Sequence, residues 1–406
     1  MGIRIAGKDL LRALLVVGMI TVLLLPACAP ATEPGEGNVV EIGLAIAVTG
    51  PAASAEKYVL MTVQDYIRYF NEEVGIPGGA IKLSWIDTGH EPAKGVSAYH
   101  RFVERGAVIL MSIVEDDTVA FMPMCARDEV PLFSAAISDV TLYPPSWVYA
   151  VYPTNAERFA VVCDWIKESW KEERPPRVAL IGPDGAYSRQ PDTLSIRYAE
   201  SVGIEMLPRE VVAYVPIDTT SQLLRLNENG ADYVYITSIW TTALPVMKDA
   251  QRLGLIDEMV FGGYENTQCE ALIGGLGPLA EGYFAQRVAP WWKETQVPGV
   301  KLVTDLQMKY HGKVDQQGDE ADVLRMVSVM CEAIRRAVEN VGYENLDGHA
   351  VKEALDSIKD WDPYGIGPIT YTPEDHRGCD RVRIYQVQEG EVVPITDWQE
   401  APMLKP

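Results

Sequence analysis

Residues 39–53, VVEIGLAIAVTGPAA, constrain this chain most. From 42 to 48 every position is small or apolar with no polar alternation, the pattern of a strand covered on both faces of its sheet. Thr49-Gly50-Pro51 then closes it with a turn. A turn at the carboxyl end of a buried parallel strand is where an open α/β sheet places its ligand. The rest of the chain must therefore supply helices for both faces and more strands of the same kind.

It does so in order. Val59, Val63, Tyr66, Ile67 and Phe70 keep helical spacing, ended by Gly75 and Pro77-Gly78-Gly79. Ile81, Leu83 and Trp85 alternate as a strand; Val96, Tyr99 and Val103 share a helix face; 107–111 is an apolar strand. A helix over 119–127 leads to Pro131-Leu132-Phe133, a strand ending at Ser134 to Ser138. A second series begins near Asn155, with strands at 178–181, 233–235 and 259–261. Two doubly wound lobes in tandem are expected. Longer helices come next at 303–311 and 323–341, then a shorter one at 351–358. The chain closes on short strands at 369–371, 382–387 and 392–395, with a turn at Glu389-Gly390.

The first residues form an address. Arg4, Lys8 and Arg12 precede the apolar run 13–25, which has the length of a secretory core and is short for a membrane span. Leu25-Pro26-Ala27-Cys28 resembles the lipobox of bacterial lipoproteins. On that resemblance 1–27 is a signal peptide, Cys28 is the lipidated mature N-terminus, and 28–38 is a disordered tether. An ordinary cleavable signal with an incidental cysteine is the other reading. No later segment has the length and apolarity of a span.

The formal charge of −22 becomes −24 once the leader's net +2 is removed. Such a surface repels phosphate backbones and anionic lipid, which argues against nucleic-acid partners and against any membrane contact beyond the lipid. Beyond Cys28 the cysteines are Cys125, Cys163, Cys269, Cys331 and Cys379, an odd number without CxxC spacing. Their pairing is open, and with scattered histidines no metal or other cofactor is expected.

The segments EIGLAIAVTGPAA, NEEVGIPGGAIKLSWIDTGHEPAKG, PPRVALIGPDGAY, ADYVYI, LAEGYF and YTPEDHRG, in this order, resemble the periplasmic branched-chain amino-acid binding protein family. The similarity covers 39–398. It implies the α/β fold of a type I periplasmic binding protein: two doubly wound, Rossmann-like lobes joined by a three-stranded hinge. Crossings fall near Thr154, Gln286 and Trp361. Lobe 1 is then 39–154 plus 287–360, and lobe 2 is 155–286 plus 361–406.

The resemblance also implies site residues. Glu265 matches the position whose acid meets a ligand's amine, against the plainer reading of a solvated loop glutamate. Tyr187 matches a pocket aromatic, although Ser188 stands where glycine usually follows; core packing is its alternative. Trp240 falls at an aromatic pocket position or is a structural tryptophan. Ile137 and Ser138 match a small residue and a threonine that supply an amide and a hydroxyl, unless Ser138 only caps the next helix. The departure is Val114-Glu115-Asp116-Asp117: the family's paired serines for the ligand carboxylate fall on Val114 and Glu115. Two carboxylates at close range disfavour each other's ionisation. Either these acids serve the start of the following helix or Glu115 enters the cleft.

No GxSxG, HExxH or GxxxxGK is present, so no enzyme is expected. The Asp322/Arg325 pair reads as a surface or hinge ion pair, and His376-Arg377-Gly378 as a turn. The expected function is that of a monomeric, lipid-anchored receptor of an ABC importer, with permease subunits as partners. Its small-molecule ligand is expected to be an amino-acid-like or amide solute. The alternatives are a sensor domain for a signalling partner and a binder of an amine, urea-like or aromatic solute.

Overall fold

The computed structural model describes residues 37–50 and 53–406. The expected signal peptide, Cys28 and the tether up to 36 lie outside the described residues, as do Pro51 and Ala52.

The strands of the first sheet are β1 (Asn38–Ile46), β2 (Gly79–Asp87), β3 (Ala107–Ser112), β4 (Leu132–Ser134) and β5 (Val148–Tyr149). They are parallel, in the order β2-β1-β3-β4-β5. Strands β1 and β3 are central and buried on both faces, as their unbroken apolar runs require. β1 starts at Asn38, a residue expected in the tether, because Asn38 and Val39 already pair in register with Gly79 and Ala80. It ends at Ile46, before the expected Val48.

Helices α1 (Ala53–Tyr69), α2 (Pro92–Glu104) and α3 (Glu115–Asp128) connect these strands. The expected face of α2 is corrected: Gly95, Ala98, Tyr99 and Phe102 are buried while Val96 is exposed. The cause is close packing on β1. A Cβ on Gly43 would lie 2.5 Å from Phe102 Cγ, so a glycine in the strand makes the seat for that ring.

The parallel part of the second sheet is β6 (Arg177–Gly182), β7 (Glu205–Met206), β8 (Glu210–Val211), β9 (Tyr233–Ile236), β10 (Val260–Gly263) and β11 (Phe284–Arg287). The antiparallel strands β12 (Arg381–Gln388), β13 (Glu391–Pro394) and β14 (Gln399–Glu400) extend it. The order is β13-β12-β11-β10-β9-β6-β7, with β8 also on β6 and β14 also on β12. It repeats the first sheet's: the later neighbour outside the first strand, the remaining strands stepping away on the other side. Glu389 and Gly390 take φ of 54° and 79°, the left-handed pair that closes a tight hairpin. Residues 369–371, expected as a strand, form no ladder: Ile369 makes an isolated bridge to Trp361, while the amides of Thr370 and Tyr371 donate to the Gly378 and Ile358 carbonyls.

Three connections join the two sheets. After β5 the chain enters α4 (Asn155–Ser169), which packs on β11 and β12; α5 (Trp240–Arg252) lies later in the same lobe. After β11 it returns through α6 (Pro298–His311) and α7 (Glu320–Val341), both against α1, and α8 (Gly348–Asp356), against β3. It then runs back to β12. His376, expected in a turn, is buried on this last passage, stacked on Tyr149 with Nδ1 3.0 Å from the Val148 carbonyl. The Ala150 amide donates to its carbonyl, so the segment covers the β5 edge.

All five cysteines in the described residues are buried free thiols. Among these residues no helix is long and apolar enough to cross a membrane, and no group of three acidic, histidine or cysteine side chains is placed to hold a metal.

Candidate ligand-binding site

Both sheets turn their carboxyl strand ends toward a cavity of about 390 Å³. That is within the usual range for small-molecule sites. Buried hydroxyls shape its lobe 1 wall. Ser112 Oγ donates to the Val114 carbonyl and Ser134 Oγ to that of Ala136, both at 3.0 Å, folding each strand end back on itself. The turns thereby present Ile113 to Asp116 and Ala135-Ala136 to the cavity. Helix α1, which follows the opening stretch, contributes Ala55, Glu56, Tyr58 and Val59.

Of the residues singled out in the sequence, Glu265, Tyr187, Glu115 and Trp240 line the cavity together. Ile137 and Ser138 do not: they are 0% and 3% exposed, and Ala135-Ala136 stand in their place on the wall. Ser138 occupies the N-cap of the short helix Asp139–Leu142, its amide donating to Thr141 Oγ1 at 2.8 Å.

Glu265 is 6% exposed at the end of β10. It forms an ion pair with Arg158 and accepts from Gln286 Nε2 at 3.1 Å. The Arg158 guanidinium in turn lies 4.9 Å from the centre of the Tyr152 ring. Tyr187 donates to Asn266 Oδ1 at 2.8 Å, and its ring meets Tyr264 edge-on. Glu115 is the first residue of α3; the three acids sit in the first turn, and Glu115 also enters the cavity. It accepts from Gln190 Nε2 of the opposite lobe, and Gln190 is held by Asn155 Nδ2 at 2.5 Å. Burial pushes the Glu115 carboxyl above its ordinary range.

The third part of the wall went unrecognised in the sequence: Gln317, Asp319, Glu320, Asp322, Val323 and Met326, at the head of α7. Of the two readings of the Asp322/Arg325 pair, surface or hinge, the surface one is corrected: the pair is interior, at 7% and 3% exposure with 3.3 Å between charged atoms. Asp319 meets Arg287 Nη2 at 2.8 Å and Asn266 Nδ2 at 3.0 Å. Glu320 accepts from the amides of Gln317 and Gly318 at 2.6 and 2.8 Å. Burial pushes the carboxyls of Glu320 and Asp322 up to about 7 each, Arg325 opposing the shift at Asp322. The available signal was three acids heading a helix whose stretch 323–334 is apolar except at Arg325, Ser328 and Glu332.

Seven carboxylates line the cavity and neither lysine nor arginine does. Its one histidine, His90, has Nε2 3.1 Å from Glu56 Oε1, which raises its pKa. The arginines that meet Glu265, Asp319 and Asp322 stand behind them, nearly fully buried.

Two doubly wound lobes with this cavity at their facing strand ends define a two-lobed solute-binding protein. The sequence model of the periplasmic binding protein family matches residues 39–391, and the chain belongs to that family. It is similar to Leu/Ile/Val-binding protein homolog 3 of Brucella melitensis, 22% identical over 361 residues that cover 88% of this chain and 93% of that protein. Leu/Ile/Val-binding protein BraC3 of Rhizobium johnstonii is likewise 22% identical, over 87% of this chain and 93% of that one. Among solved structures, a branched-chain amino acid ABC transporter from Thermus thermophilus with bound valine superposes with a TM-score of 0.83 at 22% identity, covering 90% of this chain and 98% of that chain. A fatty acid ABC transporter substrate-binding protein from Thermomonospora curvata gives 0.79 at 18%, covering 91% and 95%. One fold thus serves proteins described with unlike solutes, and the ligand has to be read from the wall.

Proposed function

We propose that this chain is the extracytoplasmic receptor of an ABC importer, acting by binding and not by catalysis. It is held at the membrane through a lipid on Cys28, works as a monomer, and hands a small amino-acid-like or amide solute to permease subunits. The observation that carries the receptor reading is that one cavity is walled by both lobes, with a hydrogen bond from Gln190 to Glu115 across it. A ligand touching both walls selects the closed arrangement, and closure is a signal a permease can read. The lobes are assigned as 39–154 plus 287–360 and 155–286 plus 361–406. Glu265, Tyr187, Glu115 and Trp240 are assigned to the ligand, with Ile137 and Ser138 supporting the lobe 1 wall from behind.

Small-angle scattering with and without solute tests the reading. A bound solute is expected to reduce the radius of gyration, and Glu265→Ala to abolish the response. A radius unchanged by every solute that binds would refute closure. Cys28→Ser is expected to release the protein from membranes; retention would refute the anchor.

A further inference from the structure

We infer, resting on the receptor reading above, that the cleft selects a small organic cation without a carboxylate: an ammonium or amidinium group on an apolar or aromatic body. The site is the interlobe cavity, and the inference concerns which charge it accepts.

The carboxylates differ in what already meets them. Glu265, Asp319 and Asp322 each have a buried arginine behind. Glu320 takes two backbone amides. Glu56 takes the Ala47 amide at 2.5 Å and His90. Glu115 has neutral donors alone, the Ser138 hydroxyl and the Gln190 amide, and Asp116 has neither an ion pair nor a hydrogen bond among the described residues. Negative charge without an ion pair is therefore concentrated at the first turn of α3, where the titratable neighbour is His90, already bonded to Glu56 and further raised by Asp117 and Asp116. Facing it from the other lobe is Tyr214, whose phenol is kept protonated by burial and then by the charges of Asp116, Glu56 and Glu115.

A ligand carboxylate finds little here. The phenols of Tyr58, Tyr152 and Tyr187 already donate, to Asp315, to the Ala135 carbonyl and to Asn266. The positive end of α3, otherwise a ready anion site, is offset by the three acids in its own first turn. A desolvated carboxylate would sit among like charges, whereas a cation is drawn to them and to the aromatic faces. Met111, Ile113, Val323, Met326 and Trp240 give the remaining wall an apolar surface suited to the body of such a molecule.

The test is isothermal titration and thermal shift on the mature chain with matched probes: valine against valinamide, and phenylalanine against phenylalaninamide and phenethylamine. At least one cation is expected to bind about tenfold or more tightly than its zwitterion, a gap of one decade in Kd. Asp116→Asn, at an exposed position, and Glu115→Gln, which keeps an acceptor for Gln190, are expected to weaken that cation at least about fivefold with the unliganded melting temperature kept. A zwitterion binding as tightly as its amide would overturn the charge selection and leave the receptor reading standing. Cation binding unmoved by both variants would overturn the placement at α3. Binding of no probe in either class would overturn both readings.

Discussion

Removing Arg158 isolates the charge balance behind the cavity. Arg158 is 1% exposed and Glu265 is 6% exposed, and the pair sits where water does not reach the guanidinium. Arg158→Met keeps most of the side-chain length and deletes the charge, so Glu265 retains only the Gln286 amide. Breaking a buried pair from one side costs about 3–5 kcal/mol, because the remaining charge is left desolvated. With an unfolding entropy of roughly 2.1 cal/mol/K per residue over about 370 residues, 1 kcal/mol moves the melting temperature by about 1.3 °C. The variant is therefore expected to melt about 4–6 °C below the wild type in calorimetry at pH 7.5. Adding Glu265→Met removes the orphaned charge, and the double variant is expected to recover most of the loss. A single variant melting within about 1 °C of wild type, or a double variant no better than the single, would refute the balance described.

Other consequences are open to direct measurement. The raised carboxyls of Glu320 and Asp322, at about 7 against ordinary values of 4.5 and 3.8, add stability below the ordinary values that is lost as pH rises through about 7. The wild type is thus expected to melt higher at pH 5.5 than at pH 8, and Glu320→Gln to flatten that difference; an unchanged slope counts against the burial of Glu320. The five buried thiols, with Cys125 and Cys269 pushed up to about 12 by burial, are expected to ignore DTNB until the chain unfolds, and reductant to leave the melting temperature unchanged. Gln190→Leu removes the bond to Glu115 and is expected to enlarge the unliganded radius of gyration and weaken ligand binding. Equal radii would show that the two lobes do not meet there in solution.

The sheets were legible because their evidence is local. Runs such as 42–46 and 107–111 are apolar without alternation, and each ends in a turn, so strand, burial and direction come from adjacent residues. The face of α2 was misread because Gly95 and Ala98 help carry it, and small residues leave no hydrophobic stripe; Gly95 gives room to the Asp117 carboxylate of α3, which a Cβ there would strike. Glu265 and Trp240 were legible since each sits at a strand end. Ile137 and Ser138 were placed two residues beyond the wall because the Ser134 hydroxyl folds the chain back at Ala136, a turn held by a buried side chain. Asp319, Glu320 and Asp322 were not legible as a site: they reach the cavity from a helix that packs on α1, far in sequence from every strand end.

The two lobes share a strand order, yet they treat charge differently, and the reason lies behind each wall. Acids at the end of β10 and the head of α7 are backed by Arg158, Arg287 and Arg325, which issue from α4, β11 and α7. These elements lie around the connections between lobes, where several segments converge and long side chains can be buried with partners. The first turn of α3 has no such backing: behind it lie the apolar strand β3 and the hydroxyls of Ser112 and Thr118. A carboxylate there is neutralised by its own protonation, by His90 when that ring is protonated, or by something entering the cavity. Lobe closure brings Gln190 but no charge, so the last requirement of the closed state falls on the ligand.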